Sequence, residues 1–498
     1  MKTISVAIDS PRGKPMVFSS FNFIFFFLPI TLAGFFLLGR RNRDWAAGWL
    51  LLASLVFYSS WNYKYLPIIA LSIIGNYLAY RGILHAAESR KRIWLAGAIL
   101  FNIALLGYFK YANFFISSLN SLTGEDLHLL DVLLPIGISF FTFTQISFLV
   151  DARHGKVEEV GLGRYALFAS YFPYIVAGPV LHHKDMIPQF ADRHNYLPSA
   201  NNFAVGITLF AFGLAKKILI ADNLVPVVNA AFAADNPDLL SAWLGLFAYS
   251  FQLYFDFSGY SDMAIGVSRM LGFQIPFNFD SPYKAASVSE FWLRWHISLS
   301  RFLRNYLYIP LGGNRHGQLA RYRNLLLTML LGGLWHGANW TFVIWGGLHG
   351  LYLCIQHGWQ SFAGPDRQPP GKLVVFLNRV LTFLAVMLAW CFFRAPDVDA
   401  ALQTLSGLAG LNGLSADLAI THWEYALVGL SALIAFLMPN TNEIFLYFEN
   451  RYPNALASFS LWRLQWRPSL GWGLVTGIIL VISILGMDRP TDFIYAQF

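Results

Sequence analysis

The chain has 498 residues, of which 56% are hydrophobic, 17% aromatic and only 12% charged. Soluble domains carry about 25% charged and about 45–50% apolar residues, so this composition excludes an ordinary soluble enzyme. The net charge of +8 indicates basic cytoplasmic loops of a membrane protein rather than nucleic-acid binding. The two cysteines, Cys354 and Cys391, lie in apolar runs and indicate neither a disulfide framework nor a cysteine metal site.

Continuous apolar segments recur along the whole chain, and they predict an all-α polytopic membrane protein. A membrane-spanning helix needs about 20 apolar residues, and the apolar material suffices for roughly ten to thirteen crossings. The predicted spans are 17–38, 45–61, 64–80, 93–109, 133–150, 165–181, 203–221, 241–265, 324–335 with 338–357, 374–394, 424–438 and 470–487.

The polar N-terminal segment 1–15 precedes the first span. Two interpretations stay open: a polar tail, or an artefact of start-site choice with Met16 as the true first residue. We expect the remainder, 16–498, to be one integral membrane domain whose functional motifs lie in 249–350.

Charged residues in the loops predict the orientation, because Lys and Arg are enriched on the cytoplasmic side. The loops Arg40–Arg43 and Arg81–Arg92 are basic, whereas a later loop contains Glu125, Asp126 and Asp131 and no basic residue. This alternation predicts an N-terminus outside the cytoplasm.

The most basic segment is 284–323, which contains seven basic side chains and one acidic side chain, Glu290, and has a net charge of +6. Two compatible interpretations stay open. The segment is a cytoplasmic loop that follows the orientation rule, or some of its cations also bind an anionic cytosolic substrate such as a nucleotide-containing cofactor. Arg294 and Arg301 are candidate residues for that contact.

The segment Val288 to Leu307 has the spacing of one amphipathic helix, which we expect to lie at the membrane interface. Arg294, Ser298 and Arg301 share one face of this helix, and His296 lies within the apolar stripe of another. A lone histidine in such a stripe is often structural. A polar group in an apolar membrane setting is costly, however, and is often functional, so His296 is a candidate catalytic residue.

A second histidine, His336, lies within the uncharged stretch 324–360. Three neighbouring glycines weaken a regular helix there, and they predict two spans or a broken, re-entrant pair. Non-helical backbone at membrane depth is tolerated only inside protein or along a water-filled cavity. Neutral imidazole accepts a proton from a hydroxyl near pH 7, as acyl transfer to an alcohol requires. His336 is therefore the strongest catalytic candidate, and nearby Asn339 is a candidate substrate contact.

Two carboxylates, Asp256 and Asp262, lie in the apolar span 241–265. Residues at i and i+6 do not share a helix face, so a paired acid–base role has little support. The spacing favours pairing with Arg or backbone groups of a neighbouring element. Asp256 is kept as a candidate substrate or tunnel contact.

These motifs resemble the membrane-bound O-acyltransferase (MBOAT) superfamily. The resemblance rests on WLRWHISLSRFLRNYLYIPLGGNR from Trp292 and LLGGLWHGANWTFVIWGGLHG from Leu330. Further segments are similar to the bacterial branch that O-acetylates alginate, peptidoglycan and cellulose and that is more distantly related to teichoic-acid D-alanyl transfer proteins. These segments are 16–30, 134–151, 172–190 and 249–266.

The resemblance implies a bundle of about eleven spans, with re-entrant or interfacial helices, around a tunnel through the bacterial inner membrane. It implies that His336, in the Trp-His-Gly motif, is catalytic, and that His296 is the second motif histidine. The implied donor is cytosolic acetyl-CoA, with no bound cofactor or metal. The implied partner is a periplasmic SGNH-type acetyltransferase, which would complete transfer to an extracytoplasmic polysaccharide. Alginate-type exopolysaccharide is the first expectation, and peptidoglycan and cellulose are the alternatives.

The C-terminal tail adds one further candidate. Related bacterial members often end in an aromatic-rich tail, and a tail tyrosine that reaches the tunnel would be a transient acyl acceptor. Tyr495 is the candidate relay, although Ala496 stands where related members have Phe. Two other classes stay open: a transporter, against which no inverted repeat is visible, and a membrane scaffold that recruits the periplasmic enzyme.

Overall fold

The computed structural model describes residues 15–176, 178–364, 370–414, 421–445, 464–487 and 494. These residues form helices, turns and loops and contain no β-strand, which confirms the predicted all-α class. Four helices in the described part are long and apolar enough to cross a membrane by length and composition, and three shorter helices are also apolar. The count of about eleven spans stays a prediction.

The first of two compact units comprises the described residues up to Phe210 together with Met263–Pro276 and Ile494. Its helices are α1 (Phe23–Gly39), α2 (Arg43–Ser59), α3 (Tyr63–His85), α4 (Glu88–Thr123), α5 (Ile138–Arg153), α6 (Leu162–Ser170), α7 (Phe172–Ile175), α8 (His183–Ala191) and the first part of α9 (Ala200–Ala233). The single span predicted over 165–181 is wrong. Helix α6 ends at Ser170, and the separate short helix α7 begins at Phe172, because Pro173 lacks the backbone N–H that would continue α6.

Buried amides connect three helices of this first unit. Asn76 Nδ2 donates to Asn102 Oδ1 over 3.2 Å, and Asn102 donates back to Asn76 Oδ1. Gln145 Nε2 donates to Ser72 Oγ over 2.8 Å. A polar group in apolar surroundings is costly unless it finds a partner, so these pairs select one packing of α3, α4 and α5.

The second unit comprises the described residues of Ala211–Asp262 and those from Phe277 to Met487. Its helices are the remainder of α9, most of α10 (Leu239–Met270), α11 (Val288–Arg294), α12 (Ile297–Leu303), α13 (Gly317–His336), α14 (Trp340–Phe362), α15 (Lys372–Arg394), α16 (Val398–Leu408), α17 (His422–Leu437), α18 (Thr441–Phe445) and α19 (Leu470–Leu485). The predicted one-domain organisation of 16–498 stays a prediction.

Helices α13 and α14 pack closely because glycines face each other at their contact. A Cβ atom on Gly333 would collide with the carbonyl oxygen of Phe342 and would lie 3.1 Å from Gly346 Cα. A Cβ atom on Gly346 would collide with the carbonyl oxygen of Met329. Between the helices the chain is non-helical at 337–339, which confirms the predicted break and leaves His336 as the last residue of α13.

Candidate active site

His296 lies at a break between α11 and α12 and not inside a helix. The prediction of one amphipathic helix from Val288 to Leu307 is therefore wrong. Two backbone hydrogen bonds explain the break. Asp280 N–H donates to the carbonyl of Arg294 over 2.9 Å, and Ile297 N–H donates to the carbonyl of Asn278 over 3.0 Å. These tertiary bonds replace helical ones, so the local helical pattern is overridden.

The backbone of His296 is left-handed, with φ of 43° and ψ of 54°. Ser281, with φ of 46°, is the other non-glycine residue with positive φ in the described part of the chain. Such a conformation costs a residue with a Cβ atom about 1–2 kcal/mol. Strain of this kind persists only where the surrounding structure imposes it, and it clusters at functional sites.

The imidazole of His296 is fully buried and packs between polar and aromatic groups. Its Nδ1 lies 3.3 Å from Asn278 Oδ1. The ring of Phe257, on α10, meets the imidazole edge-on with the centroids 4.8 Å apart. Asn278 was not predicted from the sequence, because no motif marks a single asparagine in a loop as functional.

His336 is also buried, with 4% of its surface exposed. Its ring meets Trp345 edge-on at 4.9 Å between centroids, and Phe393 at 5.3 Å. Gly337 follows in extended conformation, and a Cβ atom there would overlap the ring of Phe342. The close approach of Phe342 therefore requires glycine directly after the histidine.

The two predicted histidines come together in the second unit. The ring centroids of His296 and His336 are 6.4 Å apart, and Trp335 contacts both rings. Two buried imidazoles at adjacent helix breaks can exchange protons with a bound hydroxyl, and the surrounding aromatic rings make their environment apolar.

A third buried histidine, His349, extends this aromatic cluster and was missed by the sequence analysis. Its ring lies 4.8 Å from Trp345 and 5.1 Å from Trp292, measured between centroids. Neither of its ring nitrogens has a hydrogen-bond partner among the described residues. The available signal was that His349 lies four residues after Trp345, since positions i and i+4 share a helix face.

The two candidate arginines occupy different environments. Arg294 is buried, and its guanidinium lies 2.9 Å from Glu290 Oε1 and 3.7 Å from Asp280 Oδ2. Two carboxylates therefore balance its charge inside the protein. Arg301, on α12, is exposed, as are Arg304 and Arg315.

The carboxylate of Asp256 is held by a lysine. Lys217 Nζ, on α9, lies 2.8 Å from Asp256 Oδ1 and 2.8 Å from Asp222 Oδ1. Asp262 pairs in the same way with Lys216 over 2.6 Å. The predicted pairing with a neighbouring element is thus confirmed, and lysines of α9 supply the cations.

The remaining candidates do not extend the histidine site. Asn339 caps α14, where its Oδ1 accepts from Thr341 N–H over 3.0 Å and its Nδ2 donates to the carbonyl of Pro396 over 2.9 Å. Tyr495 lies outside the described residues. Within the described ranges, no group of three or more His, Cys, Asp or Glu side chains is arranged to hold a metal ion.

The described residues form helices and loops without strands, include apolar spans and bury two motif histidines, as a membrane acyltransferase requires. Family comparison agrees. The model of the membrane-bound O-acyltransferase family matches residues 92–394, and the chain belongs to this family. The protein is therefore a multi-pass membrane acyltransferase, and both histidines lie in the matched region.

Several proteins of known name are similar to this chain over most of its length. The chain is 44% identical over 506 aligned positions to the probable alginate O-acetylase AlgI of Pseudomonas putida, with 97% of this chain and 100% of the relative covered. It is 42% identical to the peptidoglycan O-acetyltransferase of Helicobacter pylori, with 80% and 81% covered. It is 26% identical to the teichoic acid D-alanyltransferase of Bacillus subtilis, with 75% and 95% covered.

Proposed function

We propose that the protein moves an acetyl group from cytosolic acetyl-CoA across the bacterial inner membrane for O-acetylation of an extracytoplasmic polysaccharide. The observation that carries the proposal is the buried pair of His296 and His336, whose ring centroids lie 6.4 Å apart. The names of the relatives, alginate O-acetylase and peptidoglycan O-acetyltransferase, support an O-linked acetyl group. Alginate-type exopolysaccharide is the first candidate acceptor, and peptidoglycan and cellulose are the alternatives.

In the proposed reaction His336 is the general base. Its imidazole takes the proton of an acceptor hydroxyl, and the hydroxyl oxygen attacks the thioester carbonyl carbon. The new C–O bond forms, the C–S bond breaks, and the imidazolium returns its proton to the CoA thiolate. General acid–base catalysis of this kind contributes about 10²–10⁴-fold in rate.

His296 assists this step in one of three ways. It orients the hydroxyl, assists proton transfer, or stabilises the developing oxyanion. Rings of Trp335, Trp345 and Phe393 pack against the histidines. An aromatic wall of this kind limits hydrolysis of the thioester because it excludes water.

The donor phosphates are proposed to bind at the exposed arginines of the basic segment. Arg301, Arg304 and Arg315 are exposed, and phosphate binds guanidinium through charge-assisted hydrogen bonds. Arg294 is not included because Glu290 and Asp280 already balance its charge.

The immediate acceptor is proposed to be a Ser or Tyr hydroxyl of a relay, either Tyr495 or a residue of a periplasmic SGNH-type acetyltransferase. The thioester is cytosolic and the polymer lies outside, so this arrangement requires only the acyl group to cross. It also requires the orientation predicted from the loops, with the N-terminus outside the cytoplasm.

The test is acetyl transfer by purified protein in liposomes. Radiolabelled acetyl-CoA is supplied to the wild type and to His336→Ala, with and without the periplasmic partner, and label is followed in protein and acceptor. Thermal unfolding of both proteins serves as the folding control. We expect label transfer by the wild type alone. Equal transfer by a folded His336→Ala protein would overturn the catalytic role.

Two further measurements separate the competing classes. A transporter would accumulate the intact donor inside the liposomes without forming an ester. A scaffold would support acetylation with both histidines replaced, provided that it still bound its partner. Acetyl content of exopolysaccharide and of peptidoglycan in a deletion strain would then identify the polymer.

A further inference from the structure

We propose that Asn278 is a positioning residue that holds His296 in the Nδ1–H tautomer, so that Nε2 is the ring atom that accepts a hydrogen bond from the acceptor hydroxyl during acyl transfer. The inference rests on the proposed function, because it gives His296 one of its three possible roles. Asn278 lies in the loop between α10 and α11 and was not among the residues predicted from the sequence.

The side-chain oxygen of Asn278 lies at the centre of a small hydrogen-bonded group. It is 3.1 Å from the backbone nitrogen of Ser298, 2.9 Å from Ser298 Oγ and 3.3 Å from His296 Nδ1. All three residues are buried. The contacts therefore operate away from water, where an unsatisfied donor or acceptor is costly.

The Ser298 backbone decides which amide atom of Asn278 faces His296. A backbone N–H only donates, so the amide atom opposite it must be the oxygen. The reversed amide would set its NH₂ group against the N–H of Ser298. Because Oδ1 only accepts, the Nδ1 atom of His296 must carry the proton. Neutral imidazole has a single N–H, so Nε2 keeps its lone pair.

The backbone of Asn278 strengthens the arrangement. Its carbonyl accepts from the N–H of Ile297, the residue directly after His296, over 3.0 Å. Asn278 thus holds the chain next to His296 as well as its ring. This double attachment supports the left-handed backbone of His296, with φ of 43°. The side chain and the backbone of Asn278 thus both act on His296 or on the residue next to it. Neither forms an observed hydrogen bond with His336.

The Nδ1–H tautomer excludes one of the three proposed roles of His296, which is stabilisation of the oxyanion through Nε2. In the neutral ring Nε2 cannot donate to an oxyanion, whereas it can accept the proton of a hydroxyl. The titratable ring in contact with His296 from another element is His336, at 6.4 Å between centroids. We therefore infer that Nε2 of His296 accepts a hydrogen bond from the hydroxyl of the acyl acceptor. This bond orients the hydroxyl beside His336.

The direct test is solid-state ¹⁵N NMR of the full-length protein with ring-labelled histidine in lipid. The His296 signals are assigned by difference against His296→Gln. We expect a protonated Nδ1 and an unprotonated Nε2 in the wild type, and loss of this preference in Asn278→Ala. A wild-type ring protonated at Nε2 would overturn the inference, as would an unchanged tautomer in Asn278→Ala.

The kinetic test is the pH–rate profile of acetyl transfer. Asn278→Ala should lower kcat by about 10–100-fold, the range found when a hydrogen-bond partner that orients a metal-bound histidine is removed. Asn278→Asp keeps an acceptor at Nδ1 and adds a negative charge that stabilises the imidazolium. It should therefore restore most of kcat and move the acidic limb of the profile to higher pH. Wild-type kinetics in Asn278→Ala would overturn the inference.

A matched control removes a different contact of the same oxygen. Ser298→Ala deletes the hydroxyl donor but keeps the backbone N–H that orients the amide, so its acidic limb should coincide with that of the wild type. A shift as large as that of Asn278→Asp would contradict the assignment. Full activity in His296→Gln, with the predicted tautomer present in the wild type, would refute the role of His296 in the proposed function but not the tautomer.

Discussion

Lys217 and Asp256 form a 2.8 Å ion pair inside the second unit, with 5% and 1% of their side chains exposed. The same ammonium group also lies 2.8 Å from Asp222 Oδ1. One cation therefore balances two carboxylates that lie on two apolar helices. Breaking a buried pair is far more costly than the pair itself is stabilising, because the remaining charge has no partner.

We accordingly predict that Lys217→Met lowers the free energy of unfolding by about 3–5 kcal/mol. Asp256→Asn should be milder, since Asp222 still balances the lysine. The measurement is thermal unfolding of detergent-solubilised protein. The matched control is Lys91→Met, because Lys91 pairs with the exposed Glu88 and a surface pair contributes about 0–1 kcal/mol. Equal losses in Lys217→Met and Lys91→Met would refute a structural role for the buried pair.

The contact between α13 and α14 should not tolerate a methyl group. Gly333→Ala and Gly346→Ala place Cβ against backbone atoms that cannot move independently, and we expect each to lose about 1–3 kcal/mol of stability. Gly347→Ala is the control, since its nearest neighbour, Leu330 Cδ2, is 3.5 Å away. Thermal unfolding of the three variants decides the point. A neutral Gly333→Ala would mean that the helices are packed less closely than described.

The left-handed backbone of His296 predicts an unusual order of stability. Glycine adopts this conformation without the cost of about 1–2 kcal/mol that a Cβ atom incurs, so His296→Gly should be more stable than His296→Ala. At His336, which ends a regular helix, the order should reverse because glycine disfavours helix. Chemical unfolding of the four variants measures both differences. The same order at both positions would contradict the backbone assignment, and neither His296 variant should transfer acetyl groups.

If the exposed arginines bind the donor phosphates, replacing one of them should weaken donor binding without slowing the chemical step. Arg315→Glu should raise KM for acetyl-CoA by roughly tenfold, since a charged hydrogen bond contributes about 1.5–3 kcal/mol, and should leave kcat close to wild type. Added salt should reduce the difference because it screens exposed charges. Initial rates at varied acetyl-CoA concentration give both constants. Arg90→Glu, an exposed residue outside the basic segment, is the control. An unchanged KM in Arg315→Glu would remove this segment from the proposed donor site.

Several features could be predicted from local sequence because they depend on neighbours along the chain. Apolar stretches of about 20 residues imply helices, and glycines around His336 imply the break that follows α13. Both predictions agree with the structure. The pairing of Asp256 with another element could also be predicted, because a buried carboxylate requires a partner. The identity of that partner, Lys217, could not, since it depends on which helix faces α10.

The sequence by itself therefore determined the all-α class, the membrane character and two histidines worth testing, since these follow from apolar length and from motif residues. Tertiary structure decided that His296 lies in a helix break rather than within a helix, because backbone hydrogen bonds with Asn278 and Asp280 replace the local helical ones. It also brought His296 and His336 to 6.4 Å and set Asn278 against the ring. Such contacts join segments distant in the chain, and no spacing pattern along a helix records them.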